Sequence, residues 1–242
     1  MKNLVLHYQP IISLSTTKIT GAEALVRKIG KKKELIYPGA FIPKAEKSGK
    51  IVEIGKWVLE ETCRQINAWQ EEGLTPVPIA VNVCPVELFH EDFVVNIKKT
   101  IADHKISPEA IKLELTETFP VEDIERAAKI VTKLREAGFT ILIDDFGTGY
   151  ASLKYLTYLP IHAVKIDRMF IQDIPKSLPD AAIISAVATL AHQLKLKIVA
   201  EGVERKTQLH FLKAVGCHLA QGNYFYKPQT AENFGKLLKK KS

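Results

Sequence analysis

The sequence predicts an α/β fold in which eight strands close into a barrel, one of them antiparallel to the rest. Three observations predict it. Short β-type runs alternate with amphipathic segments, the pattern of parallel strands with helices packed outside. Eight such runs fit into 242 residues, a length that suits one closed barrel. The first two runs are joined only by Thr16-Thr17-Lys18, which makes them an antiparallel hairpin.

The β-type runs are Ile11–Ser15, Ile19–Val26, Pro78–Val83, Ile111–Thr116, Thr140–Asp145, Ala163–Asp167, Lys197–Glu201 and Cys217–Asn223. Between them, residues 51–69 carry Ile51, Ile54, Val58, Thr62, Cys63, Ile66 and Trp69 at helical spacing. Residues 122–138 repeat the pattern through Ile124, Ala127, Ala128, Val131 and Leu134, with Gly138 placed to cap the helix. Residues 181–194 do so through Ile183, Val187, Leu190, Ala191 and Leu194. No linker or compositional break divides the chain, so residues 1–242 read as one domain with a basic tail from about residue 236.

The composition narrows the function classes. The chain is 46% apolar, enough for a large core, yet no apolar run reaches the roughly 20 residues a membrane helix needs. The first residues lack the h-region of a signal peptide. Cys63, Cys84 and Cys217 are odd in number and far apart, which fits buried reduced thiols of a cytosolic protein. The net charge of +7 favours anionic partners weakly. Lys31-Lys32-Lys33 and the terminal lysines read as a solvated loop and tail. They lack the aromatic interleaving of a nucleic-acid surface, so no DNA or RNA duplex is expected.

Side chains alternate in direction along a strand. In Lys112-Leu113-Glu114-Leu115-Thr116 the leucines suit outer helices, so Glu114 points into the barrel. The same parity sets Asn82 against Val81 and Val83, Lys165 and Asp167 against Val164 and Ile166, and Glu201 against Ile198 and Ala200. Glu23, Asn82, Glu114, Asp144, Lys165, Glu201 and Gln221 thus stand at the C-terminal ends of seven strands, where parallel barrels build active sites. A lone aspartate there is more often a helix cap or turn former. Seven converging polar groups are a candidate site.

The donors are carboxylate and amide oxygens, without a zinc-type His or Cys pattern. Such ligands select Mg²⁺, Mn²⁺ or Ca²⁺. Several carboxylates in one bowl can hold two ions with one carboxylate bridging, an arrangement suited to phosphoester hydrolysis. The adjacent Asp144 and Asp145 repel unless a cation shares them. A twist into the Gly147/Gly149 loop would turn Asp145 toward a second ion while Asp144 bridges. Lys165 has two readings: a salt bridge neutralising the acidic bowl, and a donor that holds the attacking water.

These residues lie in motifs. "GAEALVR" around Glu23, "AVNV" at 80–83, "LELTE" at 113–117, "DDFGTGYASL" at 144–153, "VKIDR" at 164–168, "VAEGVE" at 199–204 and "AQGNYF" at 220–225 stand in the order and spacing of EAL domains. The sequence resembles the cyclic di-GMP phosphodiesterases of that family from "YQPIISL" to about residue 235. The resemblance implies a bacterial cytoplasmic enzyme that hydrolyses one bond of 3′,5′-cyclic di-GMP to linear pGpG with Mg²⁺ or Mn²⁺, two ions per site. It implies a TIM-like (β/α)8 barrel with one antiparallel strand, and often a homodimer.

Carried over residue by residue, the resemblance makes Glu23, Asn82, Glu114 and Asp144 ligands of a first ion, with Asp144 bridging and Asp145 at the second. Lys165 matches the lysine that positions the water. Glu201 matches a glutamate on metal or its water, with Gln221 near the same network. Glu204 and Asp167 match further acidic positions, Glu204 with a catalytic role and Asp167 on the substrate side. Arg27 matches a contact to the substrate phosphate, and Glu117 a glutamate steadying the loop Phe146–Ser152.

The sequence departs from the family after Arg27, where Lys-Ile-Gly-Lys-Lys-Lys replaces a Trp and His-Pro turn, and after Asn82, where Val83-Cys84-Pro85 follows. Neither change removes an expected ligand. The alternatives are a domain that binds cyclic di-GMP without cleaving it, a regulatory interaction scaffold, and a divalent-metal barrel hydrolase of other specificity. Loss of acidic ligands marks the first, and this chain keeps them all.

Overall fold

The computed structural model describes residues 3–116, 123–147 and 152–239, and the expected barrel closes. β1 (Leu4–Ser13) and β2 (Ile19–Ile29) form the opening hairpin, and the two-residue β3 (Leu35–Ile36) folds back on the end of β2. β4 (Ile79–Val83) lies parallel to β2. β5 (Ile111–Thr116), β6 (Thr140–Phe146), β7 (Ala163–Ile166), β8 (Lys197–Ala200) and β9 (Leu219–Ala220) follow round the barrel, each parallel to the last. β1 closes the ring, antiparallel to both β2 and β9. A short β10 (Gln229–Thr230) adds to the outer edge of β1.

Two strands differ most from their sequence expectation. β1 begins at Leu4 rather than Ile11, because Pro10 does not interrupt it. The Ala22 N–H opposite Pro10 turns away to the O of Pro78, the residue just before β4. On its other edge β1 pairs with β10 through His7 and Tyr8 and with β9 through Ile12 and Ser13. Pro10 falls between these partners, where no ladder bond needs the N–H that proline lacks. β9 is only two residues long. Cys217 N–H is taken by Leu212 O at the preceding helix end, and Gly222 turns the chain at φ 158°.

The helices are α1 (Ile42–Lys47), α2 (Ile51–Glu71), α3 (Pro85–Leu88), α4 (Phe93–Asp103), α5 (Ile124–Glu136), α6 (Ser152–Tyr158), α7 (Arg168–Ile171), α8 (Leu178–Gln193), α9 (Lys206–Ala214) and α10 (Ala231–Lys239). α2 buries every residue its spacing nominated. α8 does not: it buries Ile184, Ala188 and Ala191, while Ile183 and Leu194 are exposed. An almost uniformly apolar helix offers no polar face to fix its rotation, and the small alanines let it lie close to the strands.

Lys31–Lys33 are exposed in the turn between β2 and β3, as a solvated loop should be. The three cysteines are buried and unpaired, and burial pushes each thiol up to about 12. Among the described residues no helix is long and apolar enough to cross a membrane.

Tyr8 of β1, Trp69 of α2 and Phe234 of α10 meet with ring centroids 5.0–5.9 Å apart, tying the first strand to the last helix. Trp69 is fully buried and donates its Nε1–H to Ala231 O at 3.3 Å. Trp69→Ala is therefore expected to cost about 3–5 kcal/mol in urea unfolding followed by circular dichroism, and Trp69→Phe markedly less. Equal, small costs would show that this cluster does not hold the barrel's seam.

Candidate active site

The C-terminal ends of the strands carry the acids inward, as parity requires. Glu23 of β2, Glu114 of β5, Asp144 of β6 and Lys165 of β7 are buried, and Glu201 directly follows β8. The Lys165 ammonium is fully enclosed. Its Nζ lies 2.6 Å from Glu201 Oε1, 2.8 Å from Glu114 Oε2, 3.0 Å from Asp144 Oδ1 and 3.4 Å from Glu23 Oε2. An ammonium has three N–H donors, so four carboxylates cannot all be served. Among the described residues, Asp144 Oδ1 is held only by its ion-pair contact with Lys165, and Glu114 Oε1, the oxygen that does not pair with the lysine, has no hydrogen-bond partner.

Two amides complete the inner wall. Asn82 donates Nδ2–H to Glu23 Oε1 at 2.7 Å, and Gln221 donates Nε2–H to Glu23 Oε2 at 2.8 Å. Gln221 Nε2 also donates to Gln9 Oε1 at 2.8 Å, while Gln221 Oε1 has no partner. The turns after β8 and β9 bond to each other through Val203 N–H to Gln221 O and Tyr224 N–H to Val203 O. A Cβ on Gly222 would stand 2.2 Å from Val203 O, so this approach requires glycine.

Fully ionised, the four carboxylates against one ammonium leave −4 + 1 = −3 in a buried space. The protonation equilibria reflect that imbalance. Burial, with the neighbouring acids, raises Glu114 well above its ordinary value despite Lys165. Burial likewise raises Asp144, and pushes Glu201 up to about 8. Asp145 rises to about 6 through burial and repulsion from Asp144 and Asp167. Glu23 is the exception. Burial pushes it up, but attraction to Lys165 and hydrogen bonds from Asn82, Gln221 and Lys165 bring it below its ordinary value. Lys165 is held charged: burial opposes it, and Asp144, Glu114, Glu201 and Glu23 overcome the burial.

The donor set fits hard divalent cations. Oxygens of Glu23, Glu114 and Asp144 lie within 4.8 Å of one another, and so do oxygens of Asp144, Asp145 and Glu201. Asp144 belongs to both groups. Asp145 reaches the second because its φ is 53°, a left-handed conformation that breaks the β6–β7 register. Acceptors without donors beside excess negative charge are what a cation would satisfy.

The other nominated residues sit around the rim. A cavity of about 490 Å³ opens over the acids and is lined by Arg27, Glu204 and Gln221 among others. Arg27 is nearly buried, with its guanidinium 5.0 Å over the Tyr37 ring and Nη1 donating to Val26 O. Glu204 is exposed on the wall, outside the acidic cluster. Asp167 accepts Met169 N–H at 2.7 Å and caps α7. Glu117 lies outside the described residues, as does most of the loop it was expected to steady. Gln9, Tyr37, Arg168, Gln172 and Asn223 also line the cavity and were not nominated. Gln9 is the direct partner of Glu23 across the hairpin, but it precedes Ile11, where the expected strand begins. Tyr37 follows a two-residue strand and gave no signal.

The EAL domain family model matches residues 1–228. The chain is 43% identical over 231 residues to the bifunctional diguanylate cyclase/cyclic di-GMP phosphodiesterase MucR of Pseudomonas aeruginosa, covering 96% of this chain and 34% of the relative. It is 40% identical over 225 residues to the cyclic di-GMP phosphodiesterase NbdA of the same organism, covering 93% of this chain and 29% of the relative. The chain thus spans about a third of the length of these curated relatives. Among solved structures, the PaMucR phosphodiesterase in complex with c-di-GMP superposes with a TM-score of 0.91 at 42% identity, covering 96% of this chain and 94% of that one. On its motifs, its barrel and these matches, the chain belongs to the EAL domain family.

Proposed function

We propose that this protein hydrolyses one phosphodiester bond of 3′,5′-cyclic di-GMP to linear pGpG, using Mg²⁺ or Mn²⁺ held among the mouth carboxylates. The observation that carries the reading is the excess of buried carboxylates over the single ammonium of Lys165, with acceptors left undonated. The names of MucR and NbdA supply the substrate. We read the chain as one catalytic domain of a bacterial cytoplasmic protein, able to form a homodimer.

In this reading Glu23, Asn82, Glu114 and Asp144 hold one cation, and Asp144, Asp145 and Glu201 the other. When bound, the cations supply Lewis acidity: they polarise the phosphoryl group, lower the pKa of water and stabilise the departing oxygen. Water oxygen bonds to phosphorus as the P–O3′ bond breaks, and the ribose oxygen leaves with a proton. Lys165, held charged by its acids, is a donor and not a base, and it orients the water oxygen for in-line attack. Glu201, beside Lys165, is placed to take a proton from that water, with Glu204 on the adjacent wall of the cavity. Arg27 faces the cavity with its guanidinium stacked on Tyr37, suited to a phosphate oxygen. Asp167 and Gln221 bound the substrate side.

Incubation with cyclic di-GMP and Mn²⁺ should yield pGpG, and Glu23→Ala should slow turnover at least about a hundredfold while the fold persists. Binding without turnover in the wild type would make the chain a receptor instead. Lys165→Met should abolish turnover and also destabilise the metal-free protein by about 3–5 kcal/mol, because the acids lose the cation they close around. Added Mn²⁺ should recover part of that stability, and a Lys165→Met variant with normal turnover would exclude the water-positioning role.

The acids also set a pH dependence. Glu201 at about 8 and Asp145 at about 6 stand above the ordinary value of about 4. The folded state therefore binds their protons more tightly than the unfolded state does. Their contribution to stability is present below about pH 4 and is lost as pH rises through the folded values. Divalent cations compete with those protons. Mg²⁺ should raise Tm more at about pH 8 than at about pH 6 in differential scanning fluorimetry, and an equal or smaller shift at the higher pH would contradict this.

A further inference from the structure

We propose that the N-terminal end of the barrel, opposite the acidic mouth, is a binding site for a small polyphosphate anion. A cavity of about 900 Å³ opens there. Among the described residues its lining includes four cations, Lys112, Arg135, Lys195 and Lys197, and no carboxylate. Lys112 and Lys197 share the inward parity of Glu114 on β5 and Val199 on β8, each two residues nearer the strand start. Their side chains therefore converge beneath the barrel rather than spreading over its outer surface.

Lys112 shows what the site lacks. It is half-buried, and its Nζ reaches across the floor to Gly21 of β2, where an added Cβ would stand 3.4 Å away. Among the described residues no carboxylate lies within ion-pair distance of it, and Glu114, the acid that acts on it through space, is bonded to Lys165. A cation drawn partly out of water without a counter-ion is costly, and an anion in the cavity would offset that cost.

Two imidazoles add fixed donors. His162 Nδ1 accepts Ile141 N–H at 3.0 Å, and His218 Nδ1 accepts Ile198 N–H at 3.2 Å. With Nδ1 accepting, each ring carries its proton on Nε2 and presents that N–H as a donor. An apolar layer of Ile11, Leu142, Ala163 and Val199 separates this floor from the mouth, so the two ends bind independently.

The chemistry selects the ligand. Four cations exceed what one monoanion neutralises, and the cavity exceeds one phosphate. Ammonium groups and an Arg fork suit phosphate oxygens. Among the described residues the lining has no Phe, Tyr or Trp on which nucleobases of a single strand could stack, which disfavours a nucleic acid.

The test is calorimetric titration of the full chain in EDTA with inorganic tripolyphosphate and, separately, ATP. Both wild type and Glu23→Ala should bind alike, since the mouth is not involved. Arg135→Glu/Lys197→Glu, two exposed changes, should weaken binding at least about tenfold, and Lys112→Met should weaken it without charge reversal. Tighter binding of ATP would identify a nucleotide as the source, and binding of tripolyphosphate alone an inorganic one. The proposal is overturned if neither anion binds the wild type, if the double variant binds unchanged, if Glu23→Ala abolishes binding, or if an RNA strand binds in preference to both.

Discussion

One ammonium holds four carboxylates at the mouth of this barrel, and the rest of the site is arranged by that contact. Lys165 reaches Glu23, Glu114, Asp144 and Glu201 from the centre of β7. Acids from β2, β5, β6 and the end of β8 would repel one another in a buried space, and the ammonium offsets part of that repulsion. The lysine cannot satisfy them all. That shortfall shows as a Glu114 oxygen without a hydrogen-bond partner and as acids whose proton affinity is raised. Protons and divalent cations compete to fill it, so metal affinity, pH and stability are linked in this protein.

The barrel is polarised along its axis. Acids occupy the C-terminal end, an apolar layer of Ile11, Leu142, Ala163 and Val199 fills the middle, and lysines gather at the N-terminal end. The period-two alternation of the strands generates all three levels from the same inward-facing positions, as Lys112 and Glu114 on β5 or Lys197, Val199 and Glu201 along β8 illustrate. Four cations line the cavity at one end of the barrel, while carboxylates outnumber the ammonium at the other.

Much of this was legible in the sequence because strand parity is a strict rule. Glu114 between two leucines could point only inward, and it is fully buried. Asp145 was legible as one of two adjacent acids that the chain would have to twist apart, and its φ of 53° is that twist. What was not legible depended on tertiary partners. The first β-type run reads from Ile11, whereas β1 starts at Leu4 and passes through Pro10. Only the pairing shows that the missing N–H faces a gap; Gln9 therefore lay outside the expected strand. The rotation of α8 could not be fixed from apolar residues on every side. Asp167 shares inward parity with Lys165, yet the strand ends one residue earlier and its carboxylate caps a helix. Tyr37 meets Arg27 only because β3 folds back on β2.

Anomalous scattering from crystals grown with Mn²⁺ tests the central claim most directly. The account predicts two peaks at the mouth about 3.5–4 Å apart, with an Asp144 oxygen between them and Lys165 beside them. A mouth without anomalous density, its acids still closed around Lys165, would contradict it.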